Sequence, residues 1–218
     1  MRKDPLVSES YYHIFNRGVD KRNIFQNKRD LDRFLLSMRL FQYEEPVGSL
    51  QIFCRYNNSV DVERLQKGIK LVSIVEYCLN PNHYHFILKQ EIDGGITEFM
   101  KRLSGGYTRY FNEKYKRNGA LFQGRFKSSL VNNDNYLMLL LAYVMWNYKV
   151  HDISKKNIDL VKSSEGEYET GRFDLVDKQE GTYFLKIFDG FSGFKKHGND
   201  MVNLIRSGRG KGTFDFND

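Results

Sequence analysis

Two histidines separated by one residue, His83 and His85, begin a β-like stretch in the middle of the chain and are two of its five histidines. Side chains alternate between the two faces of a strand, so both imidazoles are predicted to point the same way, with Tyr84 on the opposite face. Two imidazoles side by side on one rigid surface form half of a metal site. Such a pair also occurs as two polar residues on a solvated face, so the spacing alone leaves both interpretations open.

Tyr143 and Asn147 lie four residues apart in an apolar stretch that predicts a helix. This spacing puts the two side chains on one face of the helix, about one turn apart. The chain has 14 tyrosines, most of which must serve packing, and an asparagine is also common at a helix end. A catalytic role and a structural role both remain open on this evidence.

The elements that must position these residues are predicted in the order strand, helix, strand, strand, helix, strand, helix. Their residues are 10–17, 30–42, 70–79, 83–89, 96–116, 125–131 and 136–149. The first six elements match the split βαβ, or ferredoxin-like, plan. This predicts an α+β fold with an antiparallel sheet and both helices on one face, and an additional helix that carries Tyr143 and can cover the other face.

The pattern divides the chain into a domain at 1–150 and an extension at 151–218. An insertion at about 44–69 interrupts the first domain, where Ile52 and Phe53 suggest a strand and residues 59–66 a short helix. In the extension, residues 182–188 could form a strand or a short helix. Residues from about 206 to 218 have the composition of a flexible basic tail.

The net charge of +7 and the pI of about 9.2 favour an anionic partner, with nucleic acid as the leading candidate. Many mildly basic soluble proteins bind no such partner, so charge alone does not decide. Two distant cysteines imply no disulfide framework and fit a reducing cytosol. The start of the chain lacks an apolar signal region, and no run approaches 18 apolar residues, which predicts a cytoplasmic protein without a membrane span.

Residues 101–127 combine eight lysines and arginines with a single acid, Glu113, and six interleaved aromatic residues. Cations for phosphates and rings for base stacking are the parts of a surface that binds single-stranded nucleic acid. The same composition fits a solvated helix with its aromatic residues in the core. Arg125 and Lys127 are predicted to share one strand face, which favours them as contacts to the nucleic-acid backbone.

Several segments in order carry a family resemblance: Tyr12–Gly18, the His83-Tyr84-His85 triplet, Gly119–Lys127 and Tyr143–Asn147. From about residue 11 to residue 150 the chain resembles the HUH single-tyrosine transposases, and the REP-associated tyrosine transposases in particular. The resemblance implies that His83, His85 and Asn147 hold a divalent ion, either Mg²⁺ or Mn²⁺. It also implies that Tyr143 attacks single-stranded DNA, at a hairpin-forming site, to give a 5′-phosphotyrosine and a free 3′-OH. The expected DNA contacts are Arg17, Lys101, Arg102, Arg109, Arg125 and Lys127.

The chain departs from the family where Tyr148 and Lys149, instead of a proline, follow Asn147, so the helix is expected to run on. We interpret His13 as a structural or substrate-side histidine, and His151 and His197 have no sequence neighbours that suggest a role. Two alternatives to the transposase interpretation remain. One is a DNA- or RNA-binding protein on the same fold that no longer cuts, and the other is a metal hydrolase that uses water. A monomer and a homodimer are equally compatible with the sequence.

Overall fold

A computed structural model describes residues 5–45, 50, 68–153 and 155–208. The predicted strand at Ile52 and Phe53 and the predicted helix at 59–66 lie outside these residues. The flexible tail predicted at about 206–218 also lies outside them from residue 209, whereas its first residues, 206–208, belong to the last helix instead. Within the part of the chain that is described, every helix is too short or too polar to cross a bilayer.

In the described part of the chain, five antiparallel strands form one sheet in the order β4-β1-β3-β2-β5. The strands are β1 (Tyr11–Arg17), β2 (Val72–Asn80), β3 (His83–Gln90), β4 (Lys127–Leu130) and β5 (Lys162–Ser163). The predicted α+β class with an antiparallel sheet is confirmed, while the finer ferredoxin-like designation stays a prediction. The central strand is β3, so the predicted pair of histidines lies in the middle of the sheet.

Helices α1 (Lys28–Phe41) and α2 (Gly95–Tyr115) cover one face of the sheet. Phe34 of α1 packs on Tyr84 of β3 at a ring-centroid distance of 5.7 Å and on Tyr107 of α2 at 4.9 Å. Asn27 caps α1 by accepting a hydrogen bond from the Asp30 backbone N–H, so this helix begins two residues before the predicted start. Helix α2 is continuous through its two central glycines, Gly105 and Gly106.

Helices α3 (Asp134–Met145) and α4 (Asn147–Val150) cover the opposite face, where α3 contacts β2 and β3. Because both faces are covered, every residue of β2 is buried. In place of the single helix predicted at 136–149 there are two helices. They are separated at Trp146, whose φ of −106° and ψ of 26° depart from helical values. The chain nevertheless continues helically after Asn147, as expected from the missing proline.

The C-terminal region adds to the same hydrophobic core. Strand β5 pairs with the edge of β2, and three helices follow: α5 (Glu165–Thr170), α6 (Lys178–Ile187) and α7 (Phe191–Gly208). Of the two interpretations for residues 182–188, the helical one is correct. Helix α7 packs along α3, where Gly198 faces the indole of Trp146 and Phe194 meets the same indole at a centroid distance of 5.6 Å.

Candidate metal and DNA site

The central strand presents His83 and His85 on one face of the sheet, with ring centroids 5.3 Å apart and both side chains buried. Tyr84 points the other way, into the core under α1 and α2. This arrangement follows from the alternation of side chains along β3. It brings the two imidazoles against helices α3 and α4, which carry the other predicted site residues.

In both histidines, Nδ1 is held by a neighbouring side chain. The Nδ1 of His83 lies 2.6 Å from Oδ1 of Asn82, and because a carbonyl oxygen only accepts, this Nδ1 carries the proton. The Nδ1 of His85 lies 2.9 Å from Nε2 of His13 on β1. A metal-ligating histidine commonly has its second nitrogen fixed in this way, which orients the ring and leaves Nε2 to the metal. The local chemistry therefore fits two metal ligands that bind through Nε2.

Asn147, the first residue of α4, lies beside the imidazole of His83. Its Oδ1 lies 3.0 Å from Nε2 of His83. Two adjacent ligands on an octahedral ion with bonds of about 2.1 Å are about 3.0 Å apart, so this separation matches one edge of such a shell. The buried amide of Asn80 donates to Oδ1 of Asn147 at 2.7 Å and lies 3.0 Å from Nε2 of His83. This single amide group contacts both acceptor atoms.

A third histidine joins the group. One ligand atom from each of His83, His85 and His151 lies within 4.8 Å of the others. The ring centroid of His151 is 4.8 Å from that of His83, although no residue near His151 in the sequence suggests a role for it. The available signal was the spacing of Tyr143, Asn147 and His151 at intervals of four residues, which puts all three on one helical face.

Tyr143 lies between α3 and the sheet, with its ring edge-on to His85 at 5.4 Å and to His13 at 5.9 Å. The helix thus brings the predicted nucleophile to the histidines, as expected. The side chain is only 1% exposed, however, and it is not among the residues that line the pocket beside the histidines. A phosphate group in that pocket does not reach the phenol unless α3 or the tyrosine ring moves.

Two titratable residues of β2, Glu76 and Cys78, lie on the part of the sheet that α3 covers. A register shift after Ile74 turns Glu76 towards α3. Burial raises the pKa of the Glu76 carboxyl well above its ordinary value, which favours its protonated form. Burial likewise raises the pKa of the Cys78 thiol to about 12. Both shifts disfavour a negative charge beside the imidazoles and amides of the site.

A small open pocket adjoins the histidine pair. Two of the predicted DNA contacts, Arg17 and Lys127, lie at its edge, and the ammonium of Lys127 lies 5.4 Å from the ring centroid of Phe15. The pocket is lined by Phe15, Asn16, Arg17, His83, His85, Gln123 and Lys127. Two cations beside potential metal ligands suit a phosphate group.

The other predicted DNA contacts are not brought to this pocket. Lys101, Arg102 and Arg109 belong to α2, on the opposite face of the sheet. Each of them pairs with a glutamate of the same helix, and Arg102 also donates to two backbone carbonyls near residue 44. Arg125 is exposed in the loop before β4, so it does not share a strand face with Lys127 as predicted. The physical reason is the register against β1: Lys127 pairs with Phe15 and Phe122 with Gly18, so residues 123–126 oppose only residues 16 and 17 and must leave the extended pairing. Gly124, with a φ of +88°, lies in this segment.

In a comparison with protein families, residues 52–147 match the family described as "Transposase IS200 like". The matched range contains His83, His85, Tyr143 and Asn147, but neither β1 nor His151. The resemblance predicted from the motifs is therefore confirmed. No curated protein matches the sequence of the chain.

Among solved structures, the fold is similar to that of a REP-associated tyrosine transposase bound to a REP hairpin. The identity is 13% and the TM-score 0.52, over 81% of this chain and 93% of that chain. At this identity the likeness establishes the fold alone. The tRNA(His) guanylyltransferase of Saccharomyces cerevisiae matches at 12% identity over 93% of this chain and 80% of that chain, but its TM-score of 0.33 is too low to support an argument.

Proposed function

From the confirmed resemblance to IS200-like transposases, we propose that this protein cleaves single-stranded DNA and rejoins it through a covalent tyrosine intermediate, with a divalent ion as cofactor. The observation that carries the proposal is the proximity of the potential ligand atoms: Oδ1 of Asn147 lies 3.0 Å from Nε2 of His83, and a ligand atom of His85 lies within 4.8 Å of one of His83. The ring of Tyr143 lies 5.4 Å from that of His85. The similar transposase was solved with a REP hairpin, which supports a hairpin-forming DNA as the substrate class.

Tyr143 is the proposed nucleophile. Its phenol oxygen attacks the scissile phosphorus, the bond to the 3′ oxygen breaks, and the products are a 5′-phosphotyrosine and a free 3′-OH. The phenol proton passes to solvent or to a nearby base. Attack by a 3′-OH on the phosphotyrosine reverses these steps and rejoins a strand, so no external energy source is required because each step exchanges one phosphoester for another.

His83, His85 and Asn147 are the proposed metal ligands. Mg²⁺ or Mn²⁺ held there would act as a Lewis acid on a non-bridging phosphate oxygen. His13 and Asn82 hold the two imidazoles in the orientation that this binding requires. Two uncharged imidazoles and an amide do not offset the positive charge of a bound ion. The occupied site would therefore attract an anionic phosphate.

Arg17 and Lys127 are the proposed phosphate contacts, since both lie at the pocket that adjoins the histidines. Arg125 is retained as a contact because its exposed loop position allows it to reach a strand that leaves the pocket. For Lys101, Arg102 and Arg109 the position of α2 instead supports a structural or solvated role.

We also retain the division of the chain at residue 150 as a proposal. In it, residues 1–150 form the catalytic domain and the C-terminal extension supports the tyrosine helix through the contact of α7 with Trp146. The burial of Tyr143 favours one competing function, a binding protein on the same fold that does not cut. The two functions differ in whether a protein–DNA bond forms.

The test uses a pool of hairpin oligonucleotides with randomised loops and single-stranded flanks, labelled at either end and incubated with the protein and Mn²⁺. We expect a covalent adduct on a denaturing gel that retains the 3′-end label, while the 5′-labelled fragment is released with a 3′-OH. Cleavage without an adduct would support hydrolysis by water, and binding without cleavage would support the competing function.

The matched variants are Tyr143→Phe and Tyr136→Phe. Both remove one hydroxyl from the same helix, but Tyr136 lies at its beginning, in the first turn. Tyr143→Phe should abolish cleavage and the adduct while metal and hairpin binding persist. Tyr136→Phe should behave as the wild type.

A further inference from the structure

His151 is the one histidine near the site that the proposed mechanism does not use. It is half-buried at the end of α4, and its backbone N–H donates to the carbonyl of Asn147 at 2.9 Å. Its imidazole approaches that of His83, at an interplanar angle of 66°. The residue lies beyond the range that the transposase family matches, so nothing in that match assigns it a role.

The geometry of the three histidines is close to that of a metal site. Their ligand atoms lie within 4.8 Å of one another. Two ligands on opposite sides of an ion with bonds of about 2.1 Å are about 4.2 Å apart, and adjacent ligands are about 3.0 Å apart. Movements of roughly 1 Å in His151, which is half-exposed at a helix end, would therefore bring all three imidazoles onto one ion.

The donor types determine which ion such a site prefers. Mg²⁺ takes oxygen ligands and retains several waters, whereas imidazole nitrogen suits transition-metal ions. Two imidazoles and one amide oxygen leave three positions for water and phosphate, a shell that Mg²⁺ can still fill. A third imidazole raises the nitrogen share to three of four protein ligands and leaves only two positions for water and phosphate, which favours Mn²⁺ and later transition metals over Mg²⁺.

We propose that His151 is an additional metal ligand, so that a three-histidine, one-amide site binds Mn²⁺ in preference to Mg²⁺. This inference rests on the proposed function, because it adds a ligand to the same ion. The position of His151 next to Asn147 also couples the ion to the end of the segment that carries Tyr143. Metal binding thereby fixes α4 at two points, one turn apart.

The test measures metal binding by the full chain without DNA, from the EPR signal of free Mn²⁺ during titration, with Mg²⁺ as a competitor. His151→Ala should raise the Mn²⁺ Kd at least tenfold, since even partners outside the ligand shell are worth about 10–100-fold. The Kd for Mg²⁺ should change less than about threefold, so the preference for Mn²⁺ falls. Pulsed EPR of bound Mn²⁺ should detect three imidazole nitrogens in the wild type and two in the variant.

His197→Ala is the matched control, because His197 is also partly buried but contacts Met138 and Phe188 away from the cluster. It should leave both metal affinities unchanged, and His151→Gln replaces His151→Ala if the latter fails to fold by circular dichroism. An unchanged Mn²⁺ Kd in the His151 variant overturns the inference. His83→Ala tests the proposed function separately: if it abolishes Mn²⁺ binding while the His151 variant does not, only the additional ligand is rejected. If His83→Ala also leaves binding unchanged, the metal site itself is wrong.

Discussion

Gly198→Ala tests how helix α7 packs against the segment that carries Tyr143 and Asn147. A Cβ on Gly198 would lie 1.8 Å from Cζ3 of Trp146 and within 2.4 Å of two further atoms of the same ring. An ordinary contact begins at about 3.4 Å, so the ring must retreat by roughly 1.6 Å. The ring is fully buried, and the close packing of protein interiors leaves it little room.

Two opposing effects determine how Gly198→Ala changes the free energy of unfolding. Overpacking of a buried site costs about 1–3 kcal/mol, and three short contacts with a rigid indole place this case at the upper end. Alanine is better than glycine in a helix by about 1 kcal/mol. We therefore expect a net loss of about 2 kcal/mol in the free energy of unfolding. Because Trp146 lies between Tyr143 and Asn147, Mn²⁺ affinity and adduct yield should fall as well.

Urea unfolding of the purified variants provides the measurement, with Gly105→Ala as control. Gly105 is in the interior of α2, and a Cβ there meets nothing within 4 Å, so this variant should gain about 1 kcal/mol. Trp146→Phe removes the ring atoms that conflict with the new methyl group. In a double-mutant cycle it should offset the cost of Gly198→Ala, with a coupling of at least about 1 kcal/mol. If Gly198→Ala is as stable as Gly105→Ala, the packing of α7 on Trp146 is not as described.

Three further predictions concern the site and the core. Lys127→Ala should weaken binding to all single-stranded DNA sequences and lower the slope of log K against log salt by about one unit. Lys101→Ala, on the far face, should leave that slope unchanged, and equal slopes in both variants would contradict the assignment. His13→Ala removes the partner of His85 Nδ1 and should weaken Mn²⁺ binding about 10–100-fold in the EPR titration, whereas an unchanged Kd would show that this contact is not needed. Burial alone would raise the pKa of Asp30, but hydrogen bonds from a lysine and two tyrosines of α2 lower it below the ordinary value. The unfolded chain then binds the proton more readily, so this carboxylate stabilises the protein above about pH 4 and the contribution is lost as the pH falls through the lowered pKa. Urea unfolding of Asp30→Asn should therefore show a weaker dependence on pH in that acid range, and the same dependence as wild type would refute the assignment.

Much of the fold could be predicted because it depends on local patterns. The alternation of residues in 83–89 and the valine- and isoleucine-rich run before it both correspond to strands, and the Pro81-Asn82 turn joins them. The first and last residues of strands and helices were harder to predict, because they depend on the backbone conformation of individual residues, such as the positive φ of Gly124. Strand β5 has only two residues and no pattern of its own. It exists because the edge of β2 offers hydrogen bonds, which no local signal reveals.

The site was predictable where one element determines the geometry and not where several meet. Strand alternation puts His83 and His85 together, and helical spacing puts Asn147 near Tyr143. The approach of His151 to His83 depends on how α3 and α4 lie on the sheet, and that follows from tertiary packing. The burial of Tyr143 has the same origin.

The proposed chemistry depends on one covalent bond, between Tyr143 and the 5′ phosphate of a cut strand. The most direct measurement is mass spectrometry of the protein–DNA adduct after nuclease and protease digestion, which identifies the residue that carries the nucleotide. We predict a single modified peptide that contains Tyr143, formed only when Mn²⁺ or Mg²⁺ is present. A nucleotide on any other residue, or cleaved DNA with no modified peptide, would contradict the mechanism.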